Sequence, residues 1–234
     1  MFAYVSFTND KEPYISMMKI TISSVLKFSK FPILVYLIDV NDKNILKDDF
    51  KGEERVKFIH VNNKNFHIFV YKPFIILDAI ERGYNGYYIE ADDIITPKCD
   101  SLFRISETLE KIPISPIHPD DVIPYKFLHE NNITKTQHYI HAHVLFNIKN
   151  KKFIEEWFQL SAKTLYENYD ETALNGMYWK EGCTNHYLPI VDPYWTSFYE
   201  TPESRNDVCT YHGHKDYDTA FNLYVDMCEF YEVL

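Results

Sequence analysis

The sequence predicts an α/β fold with a mostly parallel central sheet flanked by helices. Three observations predict it. Strand and helix patterns alternate through the N-terminal part of the chain, as in the nucleotide-binding half of a doubly wound sheet. Residues 31–38 form a continuous apolar run ending at Asp39, which is how a strand buried on both faces reads. The strand at 86–89 stops abruptly at Glu90-Ala91-Asp92-Asp93, placing three carboxylates at the carboxyl edge of the sheet, where open α/β folds bind ligands.

Each element has its own signal. Residues 2–7 are a short apolar strand halted by Thr8-Asn9-Asp10. Residues 15–28 place Ile15, Met18, Ile22, Val25 and Leu26 on one helical stripe. Strands follow at 31–38 and 56–61, then a helix at 71–82 closed by Gly83, then the strand at 86–89. Further on, 112–117 reads as a strand, 118–137 as a polar loop or small excursion and 138–148 as a strand. Residues 151–167 read as an amphipathic helix, and Asp170 opens another that runs to Lys180 and closes at Gly182. The stretch 207–215 is polar, and 219–231 reads as a last helix. No linker and no repeat divides the chain, so one domain is expected, with a nucleotide-binding half at 1–93 and an acceptor half at 94–234.

The 234 residues are enough to bury a core without staples. Net charge is −10 with no basic block, which argues against a nucleic-acid or anionic-membrane surface. The four cysteines lie far apart with no Cys-x-x-Cys pair, as reduced thiols would. Neither a signal peptide nor a bilayer-spanning run is read, so a cytoplasmic protein is expected, in the host cytoplasm if the source is viral. The low glycine and alanine content beside many Lys, Asn, Ile and Tyr residues suggests an AT-rich genome. Aromatic residues reach 17%, against only 6 glycines. Few glycines leave few places where backbone approaches a phosphate, so a bound phosphate would be held by side chains or a metal.

The acidic cluster is the first candidate for chemistry. Like charges this close repel unless a cation neutralises them, and hard oxygen ligands suit Mg²⁺ or Mn²⁺. A solvated acidic turn is the alternative. The segment Tyr87-Tyr88-Ile89-Glu90-Ala91-Asp92-Asp93-Ile94-Ile95, followed by Cys99-Asp100-Ser101-Leu102-Phe103, resembles the "YLDADxxV…xxELF" segment of GT-A fold glycosyltransferases. It is most similar to glycosyltransferase family 8, the glycogenin and bacterial galactosyltransferase group. The chain's small size also resembles the compact chlorovirus-type glycosyltransferases. Lys72-Pro73-Phe74 and Leu77-Asp78-Ala79-Ile80 are similar to the helix before that motif. Residues 144–149 resemble the "GVxxxNLxxW" strand, 170–175 the "DQxxLN" helix start, and His212-Gly213-His214-Lys215 the C-terminal "HxxGxxKPW" loop. Two departures stand out: Glu90 replaces the first Asp of the motif, and His141-Ala142-His143 stands where many relatives have Asn-Ser-Gly. The stereochemical outcome is therefore not carried over.

The resemblance implies a single Rossmann-like GT-A domain. It implies a metal-dependent enzyme moving a sugar from a nucleoside-diphosphate sugar, a UDP-sugar above all, to a glycan, protein or small-molecule hydroxyl. Mn²⁺ or Mg²⁺ would be held by Glu90, Asp92 and His212, with His214 an alternative ligand. Lys215 would place its charge on the β-phosphate, where negative charge grows in the transition state. Thr8, Asn9, Asp39, Lys72 and Ala91 would line the nucleotide side, although Asn-Asp pairs also serve as plain turns. Acceptor-side bases are sought among Asp170, Glu171, Asp120 and His143, and Trp179, Tyr194 and Trp195 are candidate sugar platforms; Asp170 equally suits a helix N-cap. Three other readings remain. His212, His214 and Asp216 echo a binuclear zinc hydrolase signature whose final His is replaced by Tyr217. A nucleotidyltransferase would want a glycine-rich, basic first loop, which residues 7–12 lack. A sugar-binding module without catalysis would fit if Glu90 disables the metal site.

Overall fold

The computed structural model describes the chain apart from residues 43, 63–65, 109–111, 117–124, 134–139, 164–168, 182–186, 190–195, 199–207, 213–215 and 233–234. The elements run β1 (Phe2–Thr8), α1 (Tyr14–Phe28), β2 (Ile33–Ile38), β3 (Val56–Val61), a 3₁₀ turn (Ile68–Val70), α2 (Tyr71–Glu81) and β4 (Asn85–Tyr88). They continue with β5 (Ile94–Ile95), α3 (Ser101–Thr108), β6 (Ile112–Pro116), α4 (Tyr125–Glu130), β7 (Ile140–Phe146), a 3₁₀ turn (Ile148–Asn150) and α5 (Lys151–Lys163). The last elements are α6 (Tyr169–Glu181), β8 (Tyr187–Pro189), β9 (Thr196–Phe198), β10 (Thr210–His212) and α7 (Tyr217–Glu232). Apart from β7 and the two-residue β5, the paired strands run parallel. The expected α/β class, with a mostly parallel sheet and flanking helices, is what the chain adopts.

Two compact units emerge. The first comprises residues 2–64, 89–104 and 193–234. Here β2 lies between β1 and β3, in register from Tyr4↔Ile33 to Thr8↔Leu37 and from Ile33↔Val56 to Ile38↔Val61. Every residue of β2 is buried, so the continuous apolar run has its cause in two covered faces. Ile20 of α1, Ile94 of β5, Val208, Tyr211 of β10, and Ala220, Leu223 and Met227 of α7 form one core cluster, with Phe28, Tyr224 and Tyr231 against it. Phe2, Phe31, Tyr4 and Phe103 pack ring against ring at centroid distances of 4.7 to 5.9 Å, which accounts for part of the aromatic content. Such pairs add about 0.5–1.5 kcal/mol each beyond the area they bury.

The second unit comprises residues 1, 65–88 and 105–192. In it β7 pairs antiparallel with both β4 and β6, and β6 pairs parallel with β8. Helices α2, α5 and α6 pack together, with Trp157 of α5 fully buried. Phe66, Tyr71, Phe74 and Phe158 make a second aromatic cluster.

Several expected boundaries move. Tyr125–Glu130 is helix α4, inside a stretch read as loop from its polarity. The polar stretch 207–215 contains β10 at Thr210–His212, and β5 and α3 carry no period long enough to be read from sequence. Helix α6 begins at Tyr169, so Asp170 sits inside its first turn rather than at the N-cap; a carboxylate there faces the positive end of the helix dipole. Helix α7 starts two residues earlier than its apolar pattern because Asp216 Oδ1 accepts the Thr219 N–H at 2.8 Å and caps it. Among the described residues, no helix is long and apolar enough to cross a membrane.

Candidate functional site

The acidic motif is held by its own backbone. From Ile89 the chain runs beside β1, with the Ile89 N–H donating to Val5 O at 3.0 Å. It then closes a tight turn. The Glu90 N–H donates to Asp93 Oδ2 at 2.6 Å, and the Asp93 N–H returns to Glu90 O at 3.2 Å. Thr21 Oγ1 of α1 donates to Ala91 O at 2.7 Å, fixing the turn from below. Ala91 therefore contributes a braced backbone.

The second half of the site arrives through a two-residue ladder. Ile94 and Ile95 pair antiparallel with Tyr211 and Thr210, and the register carried one step further sets His212 beside Asp93. Thr96 reinforces the ladder, its N–H donating to Cys209 O at 2.9 Å and its hydroxyl to Val208 O at 2.7 Å. The pairing is rigid because Val208, Tyr211 and Ile94 are buried in the first unit's core. His212 Nδ1 lies 2.8 Å from Asp93 Oδ1 and 3.5 Å from Asp92 Oδ1.

The electrostatics follow from this crowding. Burial raises the Asp92 carboxyl; the charge of His212 opposes the rise, Asp93 and Glu90 add to it, and the result is a pKa of about 6. Burial alone would lower the His212 pKa. The Asp93 charge and hydrogen bond, followed by Asp92 and Glu90, outweigh it and hold the imidazole at about 9. Carboxylates thus sit against one imidazole, a set of oxygen and nitrogen donors that could hold a divalent cation. With Nδ1 on Asp93, Nε2 is the ring atom that would lose its proton to a cation.

The other residues singled out in the sequence have clear places. Thr8 is buried, with its hydroxyl donating to Asn9 O at 3.1 Å. Asn9 Oδ1 accepts the Lys11 N–H, the turn chemistry weighed above, and Asn41 Nδ2 donates to Asp10 Oδ2 at 2.9 Å, tying the loops after β1 and β2. Asp39 is exposed at the end of β2 with φ of 53°, a left-handed backbone that non-glycine residues adopt at a cost of about 1–3 kcal/mol. Thr8, Asn9 and Asp39 all lie in the first unit.

In the second unit, Lys72 Nζ and Asp170 Oδ2 are 2.9 Å apart with side chains only 5% and 2% exposed. Lys72 also lies 5.3 Å from the Tyr88 ring centroid. Trp157 Nε1 donates to Asp170 O at 2.7 Å, holding the start of α6. Glu171 follows half-buried, its carbonyl accepting from Asn175 Nδ2. His143 is buried on β7 with its ring 6.5 Å from that of Tyr87, and Tyr87 and Tyr88 are core residues. Trp179 is 8% exposed. A cleft of about 490 Å³ lies against α5 and α6, lined by Glu156, Lys163, Lys180 and neighbours; none of the residues singled out lines it. His214, Lys215, Asp120, Tyr194 and Trp195 lie outside the described residues.

No family model matches the chain, and no curated protein sequence matches it. Solved structures do. The galactosyltransferase LgtC in complex with donor and acceptor sugar analogues superposes with a TM-score of 0.61 at 16% identity, covering 95% of each chain. An active-site mutant of LgtC gives a TM-score of 0.61 at 15% identity, over 97% of this chain and 95% of that one. The chain has the GT-A fold of LgtC. Within the GT-A fold, the sequence reading misses one residue: Asp93, the only carboxylate in the turn with a fully buried side chain and the nearest partner of His212. Its signal was present, an acidic residue immediately before the apolar pair Ile94-Ile95, but its inward direction is set by the β5–β10 register.

Proposed function

We propose that the chain is a metal-dependent glycosyltransferase acting as one catalytic domain, with a UDP-sugar as donor and a glycan or other hydroxyl compound as acceptor. The observation that carries this reading is the gathering of Asp92, Asp93 and His212 at the end of a strand, in a fold shared with a galactosyltransferase crystallised with donor and acceptor sugar analogues. Asp92 and His212 would hold Mn²⁺ or Mg²⁺, with Glu90 reaching it directly or through a water. When bound, the cation supplies Lewis-acid stabilisation of the departing diphosphate. Lys215, three residues beyond His212, would place a point charge on the same group, and Thr8, Asn9 and Asp39 would meet the nucleoside.

The Lys72–Asp170 pair supports a positioning role at the acceptor side. The Lys72 ammonium would orient the Asp170 carboxyl, with Asp170 or Glu171 accepting a hydrogen bond from an incoming hydroxyl. The binuclear zinc reading loses support because Asp216 is used as the cap of α7.

Calorimetry with UDP, with Mn²⁺ and with EDTA, beside an assay of donor hydrolysis, tests the proposal. Binding that requires Mn²⁺, with slow hydrolysis of a UDP-sugar, is the expected outcome. Equal affinity in EDTA with no turnover of any nucleotide sugar would overturn it, and two tightly held zinc ions would favour the hydrolase.

A further inference from the structure

We propose that Asp93 is a positioning residue for His212, fixing which ring nitrogen the imidazole turns toward a bound cation. The inference rests on the functional reading above and adds a residue with a different task from Asp92. Its basis is how the two neighbouring carboxylates are used. The Asp93 side chain is 0% exposed and both its oxygens are engaged: Oδ2 by the Glu90 N–H at 2.6 Å, Oδ1 by His212 Nδ1 at 2.8 Å. A carboxylate spent in this way is a brace. Asp92 is 20% exposed and farther from the ring, at 3.5 Å, which suits a group that meets an incoming ligand.

The chemistry of imidazole gives the brace its purpose. A metal-ligating histidine donates its second ring N–H to a carboxylate or carbonyl, which fixes the tautomer and ring orientation and strengthens the ligand. Here the partner sits on Nδ1, so that nitrogen keeps its proton and Nε2 is the one that gives up its proton when a cation binds. The arrangement is built before any metal arrives, because the β5–β10 register and the buried Tyr211 set both residues. Asp93 also ties the Glu90 amide to the same ring, so turn and histidine keep a common geometry. A residue that merely braced the turn would have no influence on the ring.

The experiment uses the full metal-free chain with ¹⁵N-labelled histidine, as wild type and as Asp93→Asn. Asparagine keeps an oxygen for the Glu90 N–H, so the turn is retained while the charge facing Nδ1 is lost. The wild type is expected to show a slowly exchanging, downfield Nδ1–H resonance from His212. Asp93→Asn should lose it and bind Mn²⁺ about 10–100-fold more weakly by calorimetry. A wild-type spectrum without a protected Nδ1–H overturns the assignment, and that spectrum decides the matter if the variant fails to fold. The same resonance and the same Mn²⁺ affinity in Asp93→Asn also overturn it. A wild type with the ring signature that binds no Mn²⁺ would instead overturn the functional reading, leaving the hold of Asp93 on His212 established.

Discussion

Replacing Asp92 with asparagine should stabilise the metal-free protein while removing its response to Mn²⁺. The Asp92 carboxyl sits at about 6 in the folded chain, against 3.8 ordinarily, because burial and the neighbouring Asp93 and Glu90 outweigh the attraction of His212. A raised carboxyl pKa means the folded state holds that proton more tightly than the unfolded state does. Below pH 3.8 both states are protonated and nothing is lost. Above pH 6 both are ionised, and the folded state bears the full cost. At about 1.4 kcal/mol per pH unit, the gap amounts to about 3 kcal/mol, with the His212 attraction already included. Asparagine has the same shape without the charge, and its own burial offsets part of the gain. An increase of ~1–3 kcal/mol is expected at pH 7.5 in EDTA, or ~2–12 °C in Tm for a chain of this size. The gain should shrink as pH falls from 6 toward 4. Urea denaturation in EDTA at pH 7.5 and pH 5 measures it, followed by a thermal scan with added Mn²⁺, which should raise the Tm of the wild type only. An Asp92→Asn protein less stable than wild type at pH 7.5 in EDTA would refute the reasoning, since the carboxylate would then be a net stabiliser.

Four further outcomes are expected. His212, held at about 9 against 6.5, contributes up to about 3 kcal/mol that is fully present below pH 6.5 and lost as pH rises through 9, so the metal-free protein should weaken over that interval in urea titrations. Because a metal must displace the proton of His212, Mn²⁺ affinity should rise with pH from 6 to 9, and calorimetry in two buffers of different ionisation enthalpy should show proton release. Lys72→Met should cost about 3–5 kcal/mol by leaving Asp170 buried without its cation, and adding Asp170→Leu should restore much of that loss; an additive double variant would show that the two do not interact. Lys215→Ala should lower turnover on the order of 10²–10³ with little change in Mn²⁺ affinity, whereas His212→Ala should weaken metal-dependent donor binding.

Much of the architecture follows from local chemistry that the sequence carries on its face. The unbroken apolar run through Ile33–Ile38 reads as a strand covered on both sides because no polar residue in it could face water. The stripe Ile15, Met18, Ile22 and Val25 reads as a helix because 3.6-residue spacing leaves one wet face. Glu90, Asp92 and His212 stand out as candidate ligands from residue type and order. The rest depended on partners far away in the chain. A two-residue strand such as Ile94–Ile95 has no period, and only its pairing with Thr210–Tyr211 makes it a strand and turns Asp93 inward onto His212. Lys72 and Asp170 both read as groups for a substrate, yet packing of α2, α5 and α6 brings them against each other. A charge taken into a dry interior is costly without an opposite charge beside it, so the packing that buries Lys72 also brings it Asp170. Periodicity reports which face of an element is dry, and tertiary packing alone decides which charge meets which once water is excluded.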